Sequence, residues 1–599
     1  MIGREDREME HGQRRQENKT RKTLHENVWQ DPSEEAQDRE EESVTPVIER
    51  GLAAGMLLVF LACHGIAVGT EYSFKTADAA VKPFLSRGHL TSNGRIADYV
   101  RVFDAGDYEI VVRAYGSPLG DVWPLMAVSI NEANLETVSV NSAEYRDYRF
   151  MVGLSAHVHQ VGVAFLNDAW RLTEDRNLYL DVITVRAPAG ARAPAAADAA
   201  AWAADGPARE ETALRHAAET MPRHRMSEAS IRVRDRTGAG VAGAVVEVRL
   251  VRHAFLFGAN LCGFAQFDTP AKNESYRQQF EALFNYATLP FYWHLYEPVK
   301  GRLKFEVSEP VVAWCLERGI QMKGHPLLWA DKAGVPPWSS GQPAEADQKR
   351  YMTELMTRFQ GKIGFWDVVN EPVNRPGIAI DGPHRWAREL DPEAKIVVNE
   401  YGIFYEGHPD FHRFLKAAIE RNVPFDVVGI QAHAPTDMAF PLDRVKMILD
   451  HYARLGKSIH ITEFTPASNG KPITGSPWRG RWTEAQQADY AEEFYRICFA
   501  HPAVTAISWW DFCDVGAWAE GGGMIRADLS PKPVYEKLRQ IIHEEWATRA
   551  EGKTDTTGAF HFKGFHGEYR VVVRHDGKTR EATLRIAPDE ADESVITLD

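Results

Sequence analysis

Short apolar runs recur through the second half of the chain at nearly constant spacing. They begin near Phe255, Tyr286, Gln321, Gly364, Lys395, Asp426, Ser458 and Ala506, at intervals of 31, 35, 43, 31, 31, 32 and 48 residues. A parallel strand with its crossover helix takes roughly 30 residues or more. Most runs are followed by a stretch of helical periodicity, as in Ala491 to Ala500, where Phe494, Ile497 and Cys498 share a face. Eight such units predict an α/β fold, a (β/α)8 barrel over residues 253–546, whose chemistry collects where the strands end.

The pattern upstream is different. Residues 72–186 alternate apolar and polar side chains in short runs such as Tyr108-Glu109-Ile110-Val111-Val112-Arg113, with turn residues between them. That predicts an N-terminal β-sandwich. Residues 187–209, rich in Ala and Pro and poor in charge, read as a linker. Residues 228–252 read as a hairpin around a Gly-rich turn, and residues 552–599 carry further alternating runs, such as Gly567-Glu568-Tyr569-Arg570-Val571-Val572-Val573. Neither piece is long enough to close a core alone. Taken together they predict one small split β-sandwich into which the barrel is inserted.

The start of the chain carries no such patterning. Residues 1–50 hold 9 basic and 14 acidic side chains and read as a disordered lead. Residues 51–70 carry no formal charge and include Met56-Leu57-Leu58-Val59-Phe60-Leu61-Ala62. A signal peptide and a single membrane anchor both fit this segment, and either implies export.

Composition narrows the function. With 44% hydrophobic and 26% charged residues in 599, the chain is a folded protein and not a fibre or a polytopic membrane protein. Lys+Arg 69 against Asp+Glu 84 gives a net charge of −15, which argues against nucleic acid as a partner. The 16 Trp favour carbohydrate. Five dispersed cysteines (63, 262, 315, 498, 513) suggest neither a disulfide framework nor a thiolate zinc site.

The predicted strand ends carry the candidate chemistry. The fourth run, Phe365-Trp366-Asp367-Val368-Val369, ends in Asn370-Glu371-Pro372, and the seventh, Ile459-His460-Ile461-Thr462, ends in Glu463-Phe464. Each apolar strand thus releases one carboxylate, on strands that lie roughly across a barrel mouth. Glycoside hydrolysis needs such a pair, one group to protonate the departing oxygen and one to attack or to activate water. Other strand ends add His325 and Trp329, Gln431 and His433, and Trp510 with Trp518 nearby. Flat indole faces suit a sugar ring, and amide and imidazole groups meet its hydroxyls. The spacing Gln431-x-His433 is not that of a helical zinc pair.

His325-Pro326-Leu327-Leu328-Trp329, Trp366-Asp367-Val368-Val369-Asn370-Glu371-Pro372, Gln431-Ala432-His433 and Ile461-Thr462-Glu463-Phe464 resemble glycoside hydrolase family 10, mainly retaining endo-β-1,4-xylanases. The resemblance implies Glu371 as general acid/base and Glu463 as nucleophile. It implies that Asn370 holds the sugar 2-hydroxyl and that His433 bonds the nucleophile. His325, Trp329, Gln431, Trp510 and Trp518 would shape the same subsite. No catalytic cofactor or metal is implied. Xylan is the expected partner of a monomeric enzyme; mixed-linkage glucan or cellulose, or polysaccharide binding without turnover, are the alternatives.

Val163-Ala164-Phe165-Leu166-Asn167-Asp168 and Asp175-Arg176-Asn177-Leu178-Tyr179-Leu180-Asp181 resemble jelly-roll, xylan-binding modules that use calcium, with Asn167, Asp168, Asp175 and Asp181 as candidate ligands. The split sandwich resembles immunoglobulin-like domains of the carboxypeptidase-regulatory type. The chain also departs from family 10. Thr288-Leu289-Pro290-Phe291-Tyr292-Trp293 replaces a polar grip after the second strand, which predicts a neighbouring subsite rebuilt with aromatics. Ala330, Glu400-Tyr401-Gly402 and Thr465 stand where His, Asp-Tyr-Asn and Asp are usual.

Overall fold

A computed structural model describes residues 66–68, 70–83, 89–171, 173–433, 437–588 and 592–598. The charged lead, Cys63 and nearly all of the charge-free segment lie outside them. Among the described residues no helix is long and apolar enough to cross a membrane.

Eight parallel strands close a barrel: β1 (Leu256–Asn260), β2 (Tyr286–Pro290), β3 (Gln321–His325), β4 (Phe365–Asn370), β5 (Lys395–Glu400), β6 (Val427–His433), β7 (Ser458–Thr465) and β8 (Val504–Trp509), with β8 paired back to β1. They start at or beside the positions expected from the spacing; β8 begins at Val504 and not at Ala506. β3 carries Gly324 because a Cβ there would lie 2.1 Å from the indole of Trp366 on β4. The short strand Leu328–Trp329 then continues the ladder along the end of β4.

The N-terminal sandwich has a seven-stranded and a five-stranded sheet among the described residues. The small sandwich is built from both sides of the barrel. Met226–Arg234 pairs antiparallel with Ala559–Phe565 and parallel with Asp592–Thr597, while Val245–His253 lies between Arg549–Lys553 and Gly567–His575.

The expected linker is folded. Ala195–Ala196 pairs with the sandwich strand Gly94–Arg101, Ala199–Ala204 is helical, and α1 (Gly206–Arg225) runs for 20 residues. Alanine is the strongest helix former, so the Ala-rich, charge-poor composition suits a short helix here, none of whose residues is buried. Ala213 and Ala217 of α1 are buried, as are Arg209 and Glu210. Arg209 Nε donates to Asp443 Oδ2 of α2 (Leu442–Ala453) at 3.1 Å. Glu210 accepts from the Leu442 amide at 3.1 Å, Trp478 Nε1 at 3.0 Å and Arg479 at 2.6 Å. Buried ions persist where each is matched by donors and opposite charge, and these matches fasten α1 to the barrel wall.

Candidate active site

The tips of β4, β6 and β7 converge. Gln431 and Glu463 are direct neighbours across β6 and β7, just beyond a register shift at Ile430/Gln431. Such irregularities re-aim side chains at a sheet's end. Glu371, immediately after β4, has φ +53°, a left-handed conformation unusual for a residue with a Cβ. It is held by its amide donating to Asn399 O at 2.8 Å and its carbonyl accepting from the Arg375 amide at 2.8 Å.

Both carboxylates are buried, Glu371 to 7% exposure and Glu463 to 4%. Their partners differ. Glu371 Oε1 accepts from Gln431 Nε2 at 2.8 Å, and its Oε2 from Trp329 Nε1 at 2.9 Å. Burial pushes the Glu371 carboxyl up to about 8; the Gln431 hydrogen bond opposes the rise, and the charges of Glu463 and Glu400 add to it. Glu463 Oε1 accepts from Asn399 Nδ2 at 2.8 Å, and its Oε2 lies 2.8 Å from His433 Nε2. Burial would raise this carboxyl too, but the His433 hydrogen bond and the charges of His325, His433 and Lys323 outweigh it and hold it below the ordinary range. The pair is thus a protonated acid facing a carboxylate.

The remaining predicted residues surround this pair. Asn370, at the end of β4, accepts from Asn399 Nδ2 at 2.9 Å. Trp510 packs edge-on against both His325 and His433, with ring centres 5.3 and 5.7 Å apart, and Trp518 lies 4.3 Å from the His433 ring.

The structure adds residues that sequence reasoning passed over. Asn399 bridges Asn370 and Glu463, while Thr462 Oγ1 donates to its Oδ1 at 2.5 Å. Asp367 accepts from His325 Nδ1 at 2.6 Å and from Lys323 Nζ at 3.1 Å, all three side chains being buried. The only hint in the sequence was position: Asn399 immediately precedes Glu400-Tyr401, and Asp367 interrupts an apolar strand.

The rebuilt loop after β2 is only partly a subsite. Trp293 stacks on Tyr351 at 4.2 Å, and Phe291 packs on Trp366 at 5.2 Å, so both belong to the core. Tyr292 alone of the three faces the site, 5.7 Å from the His325 ring and 6.2 Å from that of Trp329. Thr465 Oγ1 lies 3.2 Å from His433 Nδ1, and Glu400 accepts from the amides of Val373 and Asn374 at 2.9 and 3.2 Å.

The calcium candidates divide. Asn167 is spent on structure, accepting from the Leu125 amide at 2.6 Å and donating to Trp123 O at 3.0 Å. Asp181 is paired on the seven-stranded sheet with Lys75 and Arg113, each at 3.6 Å. Asp168 Oδ1 and Asn177 Oδ1, by contrast, are buried acceptors without a hydrogen-bond donor. Burial raises the Asp168 carboxyl, and the nearby charge of Asp175 raises it further, while Asn177 Nδ2 donates to Asp175 Oδ2 at 2.9 Å. Asp168, Asp175 and Asn177 therefore form an oxygen-rich cluster that suits a hard cation. The exposed indole of Trp170 lies between them in sequence, on the strand that pairs with Glu174–Arg176.

Residues 253–541 match the profile of Glycosyl hydrolase family 10, and residues 109–197 match that of a Ca-dependent, xylan-binding carbohydrate-binding module (CBM60). The chain therefore carries a family 10 glycosyl hydrolase domain and a carbohydrate-binding module. It is similar to the anti-sigma-I factor RsgI6 of Acetivibrio thermocellus, 29% identical over 368 residues, covering 59% of this chain and 46% of that protein. It is also similar to endo-1,4-β-xylanase B of Thermotoga neapolitana, 29% identical over 284 residues, covering 43% and 80%. The solved structure of xylanase 10B from Thermotoga petrophila with xylobiose shares 24% identity at a TM-score of 0.42, covering 49% of this chain and 95% of its own. The chain spans 46% of the length of RsgI6 and 31% of that of endo-1,4-β-xylanase 2 of Arabidopsis thaliana.

Proposed function

We propose that the chain is an exported endo-β-1,4-xylanase that cleaves internal bonds of xylan with retention at the anomeric carbon. The observation that carries this reading is the buried Glu371–Glu463 pair, whose surroundings protonate one carboxyl and ionise the other. Glu463 attacks the anomeric carbon as Glu371 gives its proton to the departing glycosidic oxygen. The glycosyl ester formed at Glu463 is neutral, so the charge that raised Glu371 is gone. Glu371, now ionised, takes a proton from water as that water attacks the same carbon, and the ester bond breaks. Asn370, positioned by Asn399, meets the sugar 2-hydroxyl, and Asp367 orients His325 beneath the ring. The tryptophans and Tyr292 supply apolar faces.

In the module, Asp168, Asp175 and Asn177 would hold calcium, which when bound offers open coordination positions to sugar hydroxyls. The charge-free segment 51–70 supports export, as a cleaved signal or as an anchor. The alternative to xylan cleavage is a polysaccharide-binding protein without turnover.

Reducing-sugar release from xylan and from mixed-linkage β-glucan, with Glu463→Ala as control, tests both. Xylan cleavage lost in the variant is the expected result. Cleavage of glucan alone would keep the mechanism and change the substrate. Binding without release from either polymer would favour the binding role.

A further inference from the structure

The loop after Glu371 is fastened by side chains that have no place in the chemistry above. Glu400 at the end of β5 accepts from the amides of Val373 and Asn374, and Asn374 Nδ2 returns a hydrogen bond to Glu400 Oε1 at 2.9 Å and another to Tyr401 O at 3.1 Å. The remaining polar atom of that amide, Asn374 Oδ1, lies 3.1 Å from His408 Nε2. His408 Nδ1 accepts from the Phe411 amide at 3.2 Å, so the ring proton resides on Nε2 and is donated to Asn374. His408 has φ +42°, and its carbonyl and that of Gly407 each accept from Tyr452 OH at 3.0 Å.

This corner is also where the N-terminal sandwich meets the barrel. The sandwich hairpin turns at Asn131 and Glu132, both left-handed. Beyond the turn, Asn134 Nδ2 donates to Glu406 Oε2 at 3.3 Å, and Arg95 lies 3.6 Å from the same oxygen. Arg444 of α2 joins Glu132 Oε2 at 3.2 Å to Tyr405 O at 2.7 Å. Gly407 passes so close that a Cβ on it would stand 2.3 Å from Asn134 O. An unbroken series of contacts therefore runs from the sandwich through Glu406 and Gly407 to His408, Asn374, Glu400 and the turn that carries Glu371.

We propose that His408 and Asn374 are positioning residues for Glu371, and that the N-terminal sandwich supports them through Glu406 and Gly407. The module is then part of the catalytic apparatus as well as a sugar binder, and its influence reaches substrates too short to touch it. The proposal rests on the acid/base reading of Glu371. The groups facing Glu371 are Glu463 and Glu400, Arg375 at 4.0 Å with Asp331 beside it, and Tyr292, Tyr401, Gln431 and Trp329. Only Glu400 among the acids is tied to Asn374, so loosening the clamp leaves the Glu463 side intact.

Two substitutions separate reach from capping. His408→Asn keeps a side chain suited to the left-handed backbone and to the cap on Phe411, but it is too short to meet Asn374. His408→Gln loses the cap and keeps a donor near the Nε2 position. In the full-length protein, His408→Asn is expected to lower kcat on a short soluble xylooligosaccharide about tenfold with KM unchanged. The alkaline limb of its pH profile should move to lower pH as water reaches Glu371. His408→Gln should restore most of both, and Asn134→Ala with Arg95→Ala should move both in the same direction by less. Titration of the Glu371 carboxyl by carbon NMR, in the wild type and in His408→Asn, reads the same displacement without turnover. An unshifted titration, or equal effects of Asn and Gln, overturns the proposal. A shifted titration in a protein that releases no sugar would keep the positioning and reject the acid/base reading.

Discussion

The tips of β4 and β7 bury the same functional group to nearly the same depth, 7% and 4% exposure for Glu371 and Glu463, and give it opposite protonation. Each carboxylate has two donors. At β4 both come from neutral groups, an amide and an indole, whereas at β7 one is an imidazole in a neighbourhood that also holds the buried Lys323 ammonium. Depth therefore does not assign the roles. What decides is whether the donors carry positive charge, together with the repulsion each acid exerts on the other.

The largest break in this comparison comes from removing the ionised member. Glu463→Ala should reduce xylan hydrolysis by about four orders of magnitude or more, read as reducing sugar released per enzyme. Glu371→Gln should reduce kcat/KM about 10²- to 10⁴-fold on xylan. It should have much less effect on an aryl xyloside whose leaving group needs no proton, and an equal loss on both substrates would deny Glu371 the acid role.

The next test is titration. The acid must be protonated, so kcat/KM should fall as pH rises through about 8, the value to which burial pushes the Glu371 carboxyl. Its acid limb should lie below the ordinary 4.5 of a glutamate, because Glu463 is held ionised. Gln431→Leu sharpens the contrast. That amide favours the charged form of Glu371, so its loss should move the alkaline limb upward, to higher pH. The smallest effect expected is from Thr465→Val, which removes a hydroxyl beside His433 and should lower kcat about threefold, a change of the size of one weak hydrogen bond.

Much of this site was legible because a barrel repeats. Eight strand starts at near-constant spacing place Glu371 and Glu463 on tips across the mouth, and the polar groups ending β3 and β6 follow from the same rule. What the repeat cannot carry is direction. Phe291, Tyr292 and Trp293 are consecutive aromatics, yet only Tyr292 turns to the site, because the strand's end and a short helix set the alternation locally. Asn399 and Asp367 lie in strand interiors that read as core until the neighbouring strands are in register. The Ala-rich stretch before α1 misled for a compositional reason, since the same small residues suit a tether and a short exposed helix. In the module, Asn167 and Asp181 have the right chemistry for calcium, but backbone amides and basic side chains already occupy them.

The split sandwich imposes an order on synthesis. Ser227 pairs with Gly564, a separation of 337 positions (564 − 227) that includes the whole barrel. At about 5–20 residues per second, the strand Met226–Arg234 leaves the ribosome roughly 15 s to a minute before its partners exist. During that interval both of its edges are open, and Arg232 and Arg234 place positive charge along a segment that would otherwise invite pairing with another chain. The last strands to be made then lock the first ones in place, so the small sandwich forms only on chains whose barrel has been translated to its end.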